Sequence, residues 1–260
     1  MENFINNVVG GRYFVINQIG KGGFSNVFKV RDIKTGDIFV LKQYITSDPA
    51  NKKNLLEGME SELKILKYVS HPVLPKIYNL IKEKDNFYLV MEYVEGINLK
   101  KYIDINGVLS NKQIVAITNQ ICSGLYYLHS LEPPIVYRDL KPSYIIFMED
   151  GRVKLIDFGI AKRYSREMDA DELALGSKGF AAPEQFGDSK GRGLYNTDIR
   201  SDIYGIGTTL YYLKRGKTFK EKPSWFGISH KFKKVILKCT KINPNDRFQN
   251  CIEVLCAINK

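Results

Sequence analysis

The 260-residue sequence has no run of 18 apolar residues, which is about the length that a membrane-spanning helix requires. It also begins without a basic stretch followed by an apolar one, so a secretory signal peptide is not indicated. We therefore expect a cytoplasmic protein with no membrane segment in this chain. Because 44% of the residues are hydrophobic, the chain can bury a sizeable core, and its length suits one large domain or two small ones.

Histidine is scarce and the cysteines are scattered. The three histidines and four cysteines include no CxxC pair and no cluster with the spacing of metal ligands. We therefore expect no zinc centre. Cys122, Cys239, Cys251 and Cys256 are predicted to be buried reduced thiols rather than disulfide partners or metal ligands.

Acidic residues are few in the C-terminal part of the chain. Residues 214–260 contain twelve Lys or Arg and three Asp or Glu, so they carry nine of the eleven excess positive charges. A basic surface can attract acidic peptides, nucleic acid or an anionic membrane, although a solvated lysine-rich face is the more ordinary explanation. No aromatic-interleaved RNA-binding motif or basic recognition helix accompanies these charges, so no nucleic-acid partner is expected.

Sequence periodicity divides the chain into two parts. Up to about residue 94, apolar and polar residues alternate between turns, which predicts five antiparallel strands. Three of them lie within residues 13–44 and two within residues 74–94, with one helix near residues 54–68. Residues 1–93 should therefore form a sheet-rich lobe.

After the last predicted strand, the apolar spacing changes to that of a helix. Helices are predicted at residues 99–105 and 110–131, and Ser110 with Gln113 has the pattern of a capping box at the start of the second helix. The region from about 97 to 260 should be mainly helical, so the predicted fold class is α+β.

A glycine-rich turn joins the first two predicted strands. In it, Gly20, Gly22 and Gly23 precede Ser25 and Val27. Glycines remove side chains so that the backbone can lie close to phosphate groups, and the following valine could cover a base. A plain glycine-rich hairpin turn is the commoner explanation of such a pattern.

The stretch 137–159, YRDLKPSYIIFMEDGRVKLIDFG, contains two acidic residues that could carry chemistry. Asp139 and Asp157 lie at the two ends of a predicted β-hairpin, whose turn is the Glu-Asp-Gly sequence at 149–151. We expect this hairpin to direct both carboxylates to one site. Each Asp taken alone is more often a turn or capping residue.

This stretch resembles the catalytic loop and the metal-binding loop of protein kinases, HRDLKxxN followed by DFG. The resemblance extends from about Tyr13 to about Leu255, and it is to the bacterial eukaryotic-like serine/threonine kinases. It implies a two-lobed protein kinase fold, with a single kinase domain over residues 1–260. It also implies an enzyme that uses ATP with Mg²⁺, or with Mn²⁺, to phosphorylate Ser or Thr of a protein substrate.

The resemblance assigns roles to individual residues. Asp139 would accept or orient the proton of the substrate hydroxyl, and Lys141, which is typical of serine/threonine kinases, would neutralise charge on the transferring phosphoryl group. Asp157 would hold magnesium, a hard cation that prefers oxygen ligands. The residues implied to bind ATP are Gly20, Gly22, Gly23, Ser25, Val27, Val40, Lys42, Glu62, Met91, Glu92, Val94, Asn98 and Ile146.

Two of these residues have alternative explanations. Lys42 ends an apolar strand, where an isolated lysine usually faces solvent, but the resemblance implies an ion pair with Glu62 that would hold the ammonium against the phosphates. Glu60 and Glu57 are alternative partners for it. Asn98 could contact the ribose of ATP or could simply cap the following helix.

Residues 176–184 resemble the end of the kinase activation segment. Ser177 takes the place of the usual threonine, and its hydroxyl is expected to bridge Asp139 and Lys141. Because this segment resembles that of kinases acting on proteins, a phosphotransferase for small molecules is disfavoured.

Three further residues match supporting positions of the family. Asp202 is expected to brace the backbone of the catalytic loop, and Arg247 to pair with Glu184. The region 213–228 is shorter than the corresponding region of many kinases, so a smaller docking surface for substrates or partners is expected there.

Arg138 precedes the catalytic Asp, which in this family marks enzymes regulated by a phosphate on the activation segment. No threonine occurs between Asp157 and Glu184. We hypothesise that a carboxylate of the acidic cluster at 169–172 takes the place of the phosphate and orders the segment.

Tyr144 departs from the family pattern, because the corresponding residue of kinases is a metal-binding Asn. A neutral phenol is a poor ligand for magnesium near pH 7 and is bulkier than an amide. This substitution predicts a kinase with weakened, metal-sensitive activity. The alternative is a pseudokinase that acts as a nucleotide-binding or scaffolding module.

Overall fold

A computed structural model describes residues 4–22, 25–45, 69–83, 86–157, 162–163, 176–186, 197–220 and 222–260. The chain divides into two compact units. The first consists of Met1–Ser70 and Pro75–Val94, and the second of His71–Leu74 and Glu95–Lys260.

The first unit contains an antiparallel sheet. Its strands are β1 (Val8–Val9), β2 (Tyr13–Lys21), β3 (Ser25–Asp32), β4 (Ile38–Tyr44), β5 (Ile77–Glu83) and β6 (Asn86–Glu92), in the order β1-β2-β3-β4-β6-β5. The prediction of five strands is corrected by β1, which pairs with the start of β2. The turn between them uses Gly10 and Gly11 in the left-handed region, with φ of 57° and 62°. A strand of two residues is too short to show an alternating pattern.

Strand β6 is buried on both faces. Tyr88 and Val90 belong to one buried apolar cluster, whereas Phe87, Leu89 and Met91 belong to another. Because successive side chains of a strand point to opposite faces, this alternation places apolar side chains on both sides of the sheet. The neighbouring strand β4, which carries Lys42, is thereby supported from both sides.

The second unit is mainly helical. Its helices are α1 (Leu99–Asn106), α2 (Asn111–His129), α3 (Ile199–Arg215), α4 (His230–Cys239) and α5 (Cys251–Asn259). The predicted capping box opens α2, because Ser110 Oγ accepts the Gln113 N–H and Gln113 Oε1 accepts the Ser110 N–H. This helical unit and the sheet of the first unit confirm the predicted α+β class.

Short strands position the loops of the second unit. They are β7 (Ile97–Asn98), β8 (Ile135–Val136), β9 (Ile145–Phe147), β10 (Val153–Leu155) and β11 (Lys162–Arg163). Strands β9 and β10 form the predicted hairpin, and Gly151 in its turn has a φ of 81°. Asp157 follows β10, and residues 137–141 lie between β8 and the short 3-10 helix Pro142–Tyr144 that precedes β9.

None of the described helices combines the length and the apolar character that a membrane span requires. The four cysteines are unpaired, and Cys122, Cys239 and Cys251 are buried as predicted. Cys256 is exposed, so the prediction is wrong for this residue. Helix α5 buries Cys251, Val254 and Ile258, and position 256 does not lie on that helical face.

Candidate active site

Asp139 and Lys141 lie in the loop between β8 and β9, and both contact Ser177. Lys141 Nζ donates to Asp139 Oδ2 over 2.7 Å, and the Ser177 N–H donates to Asp139 Oδ1 over 3.0 Å. Lys141 Nζ also donates to Ser177 Oγ. Asp139 is only 8% exposed, so its carboxylate is held in one orientation by two donors. The structure thus brings together the three residues that the sequence places at the catalytic loop and the end of the activation segment.

The Asp202 carboxylate, at the start of α3, holds the backbone that leads into this loop. Its oxygens accept the Tyr137 N–H over 2.8 Å and the Arg138 N–H over 2.7 Å. Arg138 has a φ of 74°, and Asp157 has a φ of 72°. A left-handed conformation is costly for a residue other than glycine, by roughly 1–3 kcal/mol, and such strain is commonly found at functional sites. The bonds to Asp202 help to maintain this conformation at Arg138.

His129 is a third partner of Asp202 that the sequence did not single out. At the last turn of α2, its Nε2 lies 2.8 Å from Asp202 Oδ2, and its Nδ1 lies 3.9 Å from Cys251 Sγ. Burial lowers the pKa of His129, but the hydrogen bonds to Asp202 and Cys251 outweigh it and raise the pKa to about 9. A protonated His129 therefore compensates the buried charge of Asp202. Its position at the end of an apolar helix is the only signal in the sequence.

Tyr137 connects the catalytic loop with the segment before Asp157. Its hydroxyl donates to the Ile156 carbonyl over 2.5 Å, and the Ile156 N–H donates to the Tyr144 carbonyl over 2.8 Å. Burial, followed by the nearby Asp157 and Asp139 carboxylates, raises the pKa of Tyr137 well above its usual value. Tyr137 is therefore a neutral donor at any physiological pH. Its position in the YRD sequence, where HRD is usual, could have indicated this role.

The Tyr144 ring lies against the ammonium of Lys141. The distance from Lys141 Nζ to the ring centroid is 3.7 Å, which is a cation–π contact. The Tyr144 N–H also donates to the Lys141 carbonyl over 2.9 Å. Tyr144 therefore presents its aromatic face to an ammonium.

The donor chemistry of these residues fits one magnesium ion. The described residues include no group of three or more His, Cys, Asp or Glu that could hold a metal. Magnesium in phosphoryl-transfer sites is commonly bound by one or two carboxylates together with the phosphates of the nucleotide, so Asp157 suits this role. Tyr144 offers a phenol beside a cation, which does not fit a second ion.

Glu184 and Arg247 form a buried, bidentate ion pair. Arg247 NH1 and NH2 donate to the two carboxylate oxygens of Glu184, each over 2.7 Å. The remaining donors of the guanidinium bond to the carbonyls of Arg200, Lys241 and Ile242, so all five are used. This network fixes the end of the segment 176–186 on the core of the second unit.

Gln185 is another residue with a contact that its local sequence did not predict. Its Nε2 donates to the Arg138 carbonyl over 2.7 Å, and its Oε1 accepts the Ala182 N–H over 3.0 Å. Gln185 therefore joins the segment 176–186 directly to the catalytic loop. The only signal was its place after Glu184 in the sequence APEQ.

In the first unit, Lys42 is 5% exposed, so the alternative that it faces solvent is wrong. Its Nζ lies 5.0 Å from the centroid of the Tyr44 ring. The predicted partner Glu62, with Glu60 and Glu57, lies outside the described residues.

The glycine-rich turn and the proposed adenine-binding strand also lie in the first unit. Gly20 pairs with Val27 across β2 and β3, and the Gly22 N–H donates to the Ser25 carbonyl over 2.7 Å. Gly23 lies outside the described residues. Two other predicted ATP-binding residues, Val40 and Met91, are opposite each other between β4 and β6. The N–H of a third, Glu92, donates to the Lys76 carbonyl over 2.8 Å.

Three predicted nucleotide-binding residues lie next to the boundary of the units or within the second one. Val94 is the last residue of the first unit. Asn98 caps α1, because its Oδ1 accepts the Lys101 N–H over 2.9 Å, and it is opposite Ile146 between β7 and β9.

The acidic cluster at 169–172 lies outside the described residues.

Residues 13–257 match the family model described as "Protein kinase domain". The chain is 37% identical to "Serine/threonine-protein kinase PrkC" of Bacillus subtilis over 210 residues, which are 80% of this chain and 31% of that protein. It is 33% identical to "Probable serine/threonine-protein kinase PknB" of Lactococcus lactis over 242 residues, 92% of this chain and 37% of that protein. It is 32% identical to "Serine/threonine-protein kinase B" of Synechocystis over 276 residues, 96% of this chain and 46% of that protein. The chain thus spans less than half of the length of these relatives.

Proposed function

Because the chain belongs to the protein kinase family, we propose that it transfers the γ-phosphoryl group of ATP to Ser or Thr hydroxyls of a protein substrate. The observation that carries this proposal is the contact of Asp139 with Lys141 and Ser177. It joins a candidate base, a cation and the segment that in this family lies beside the protein substrate. The serine/threonine kinases to which the chain is similar support the choice of hydroxyl.

Asp139 would act on the nucleophile. Its carboxylate would accept a hydrogen bond from the substrate hydroxyl and take the proton as the oxygen attacks phosphorus. The Ser177 N–H on Oδ1 and the Lys141 ammonium on Oδ2 orient the carboxylate for this task. Lys141 would also offset negative charge on the transferring phosphoryl group.

In the first unit, Lys42 would bind the phosphates of ATP, and the backbone of Glu92 and Val94 would bind its base. The Lys42 ammonium is largely buried, and phosphate oxygens are suitable acceptors for it. Asp157 would hold one magnesium ion, which when bound neutralises charge on the phosphate oxygens. Asp157 has a left-handed φ of 72°, a strained backbone conformation of the kind that is common at functional sites.

Tyr144 should reduce the rate of this reaction. It supplies no second oxygen ligand, and its ring holds the Lys141 ammonium by a contact of 3.7 Å. Charge stabilisation by metal ions is worth several kcal/mol in phosphoryl transfer, so loss of one ion would slow turnover strongly. This substitution is also the observation that favours the second candidate function, a pseudokinase that binds nucleotide or a partner protein without turnover.

Transfer of labelled γ-phosphate to a mixture of protein substrates would test the proposal, with the products hydrolysed to identify phosphoserine and phosphothreonine. The chain should transfer phosphate slowly, and Asp139→Asn should abolish the transfer without changing ATP affinity measured by calorimetry. Equal transfer by both chains would contradict the role of Asp139. ATP binding without any transfer would favour the pseudokinase, and absence of ATP binding in both chains would favour a scaffold.

A further inference from the structure

The loop between α3 and α4 is fixed by side chains of α3. The Tyr211 hydroxyl donates to the Ser224 carbonyl over 3.3 Å and accepts the Ser224 N–H over 3.1 Å. Arg215 NH1 donates to the Phe226 carbonyl over 2.8 Å. Trp225 packs edge-on against Tyr211, with ring centroids 6.0 Å apart. The backbone around Phe226 is therefore held by side chains of α3.

Phe226 nevertheless points its ring into solvent. It is 84% exposed, the highest fraction of any large apolar side chain in the described part of the chain. Single exposed apolar residues are common and need no explanation. Phe226 differs because its carbonyl and the preceding residues are hydrogen-bonded to α3, so the structure presents the ring on a firm support.

Exposed lysines flank Phe226 on both sides along the chain. The face is defined by Phe226 and the exposed residues Lys217, Lys220, Lys222, Lys231 and Lys234. We call it the aromatic–lysine face. Between Lys214 and Lys241 the sequence has ten Lys or Arg and a single acidic residue, Glu221. Lys233 Nζ lies 5.4 Å from the Trp225 ring centroid and so links α4 to the loop.

The aromatic–lysine face is continuous with the segment that contacts Asp139. A methyl group added at Gly179 would lie 3.3 Å from Thr218 Cβ, so this loop packs directly on the segment 176–186. The Phe180 ring lies 5.8 Å from the Tyr212 ring, and the Phe180 carbonyl accepts the Thr208 hydroxyl over 3.1 Å. The exposed Lys178 extends the positive charge towards Ser177.

We propose that the aromatic–lysine face binds an acidic segment of the protein substrate, at a distance from the hydroxyl that is phosphorylated. The inference rests on the proposed function, because it names the class of substrate for that site. Charge complementarity selects an Asp- and Glu-rich segment, and Phe226 supplies an apolar anchor of the kind that dominates binding energy at interfaces.

Continuity with the Asp139 site favours a protein over other anionic partners. A substrate protein must approach Ser177 and Asp139 to be phosphorylated, and the packed residues Gly179 and Thr218 lead from there to Phe226. An anionic membrane would satisfy the charge but gives no reason for this connection. A second copy of the chain, with its own excess of positive charge, would be repelled.

Fluorescence anisotropy with the full chain tests this inference in the absence of ATP. The probes are a labelled Glu-rich peptide and the same peptide with every Glu replaced by Gln. The double variant F226A/K222E removes one exposed aromatic ring and reverses one charge. The matched control K241E/I242A also reverses one charge and removes one exposed apolar side chain, beyond the other end of α4, where Ile242 is 68% exposed.

The Glu-rich peptide should bind more tightly than the Gln peptide, and F226A/K222E should weaken it about tenfold while the control variant does not. In the transfer assay, an acceptor peptide with a Glu-rich tail should show a raised KM and an unchanged kcat with F226A/K222E. For the same acceptor with a Gln-rich tail, the KM should be the same with the variant as with the unmodified chain.

Equal binding of the two peptides, or equal loss with both variants, would overturn the inference. Phe226-dependent binding to phosphatidylserine vesicles without peptide binding would assign the face to a membrane. A dimer in sedimentation that is lost in F226A/K222E would assign it to a second copy. If the binding results hold but no peptide is phosphorylated, the proposed function fails and the binding of acidic peptides to the aromatic–lysine face remains.

Discussion

Replacing Arg247 with methionine should strongly destabilise the second unit. The guanidinium is almost completely buried and donates to Glu184 and to three backbone carbonyls. Methionine is apolar and has no donors, so the Glu184 carboxylate would stay buried without its guanidinium. Removing one partner of a buried pair typically costs about 3–5 kcal/mol. This is a large part of a total stability of roughly 5–15 kcal/mol for a typical domain.

Urea denaturation provides the measurement. Trp225 is the single tryptophan and packs against Tyr211 in the same unit, so its fluorescence reports on the unfolding of that unit. Arg247→Met should lower the free energy of unfolding by about 3–5 kcal/mol. The double variant Glu184→Gln/Arg247→Met should lose less than the sum of the single variants, because it leaves no uncompensated buried charge.

Lys100→Met is the matched control, because Lys100 forms an exposed ion pair with Asp104 at 2.7 Å. Exposed pairs contribute little to stability, so this variant should behave as the unmodified chain. If Arg247→Met lowered the free energy of unfolding by no more than Lys100→Met does, the argument would be refuted. Strict additivity of the Glu184 and Arg247 substitutions would refute it as well.

Three further substitutions test contacts around the catalytic loop. The pKa of His129 is raised from 6.5 to about 9, so its stabilising charge is complete below pH 6.5 and is lost as the pH rises through 9. The difference in unfolding free energy between the unmodified chain and His129→Gln, measured in urea, should therefore shrink over that pH range. A difference that stays constant with pH would contradict this linkage. In Gly96→Ala, the new methyl would lie 2.6 Å from the Phe147 carbonyl oxygen, so the midpoint temperature of thermal unfolding should fall. An unchanged midpoint would show that the backbone at position 96 can move away from β9. Tyr137→Phe removes the bond to the buried Ile156 carbonyl and should cost about 1–3 kcal/mol in urea; no loss would mean that water replaces the hydroxyl.

The sequence predicts those parts of the structure that depend on neighbouring residues. Alternation marks β2, β3 and β4, and the spacing of Ser110 and Gln113 predicts the start of α2 because a capping box involves only one helical turn. The left-handed turn at Gly10 and Gly11 could not be predicted in this way, because the two-residue strand β1 before it carries no periodic signal.

Contacts between distant residues could be predicted only where a motif was known. Glu184 and Arg247 are 63 residues apart and were paired by resemblance to the family. His129 and Asp202 are 73 residues apart, and nothing in the local sequence of His129 distinguishes it from an ordinary residue at a helix end. The burial of Lys42 likewise depends on the packing of β4 between its neighbours, which the sequence of one strand does not express.

The aromatic–lysine face shows a different limit. The sequence indicates an excess of positive charge but not whether lysines are grouped around one anchor. The hydrogen bonds of Tyr211 and Arg215 fix the loop that carries Phe226, and both side chains come from another element. Charge can therefore be predicted from composition, whereas a binding surface depends on the tertiary structure.

The most direct test of the central claim is the turnover of Tyr144→Asn at varied magnesium and manganese. The claim is that Asp139, Lys141 and Ser177 form a working site whose rate is limited by Tyr144. Introducing an amide at position 144 should raise kcat by about tenfold or more, since about 1.4 kcal/mol of added stabilisation gives a factor of ten, and should make the rate depend on a second metal ion. No gain from Tyr144→Asn, while Asp139→Asn abolishes a robust activity, would contradict the account.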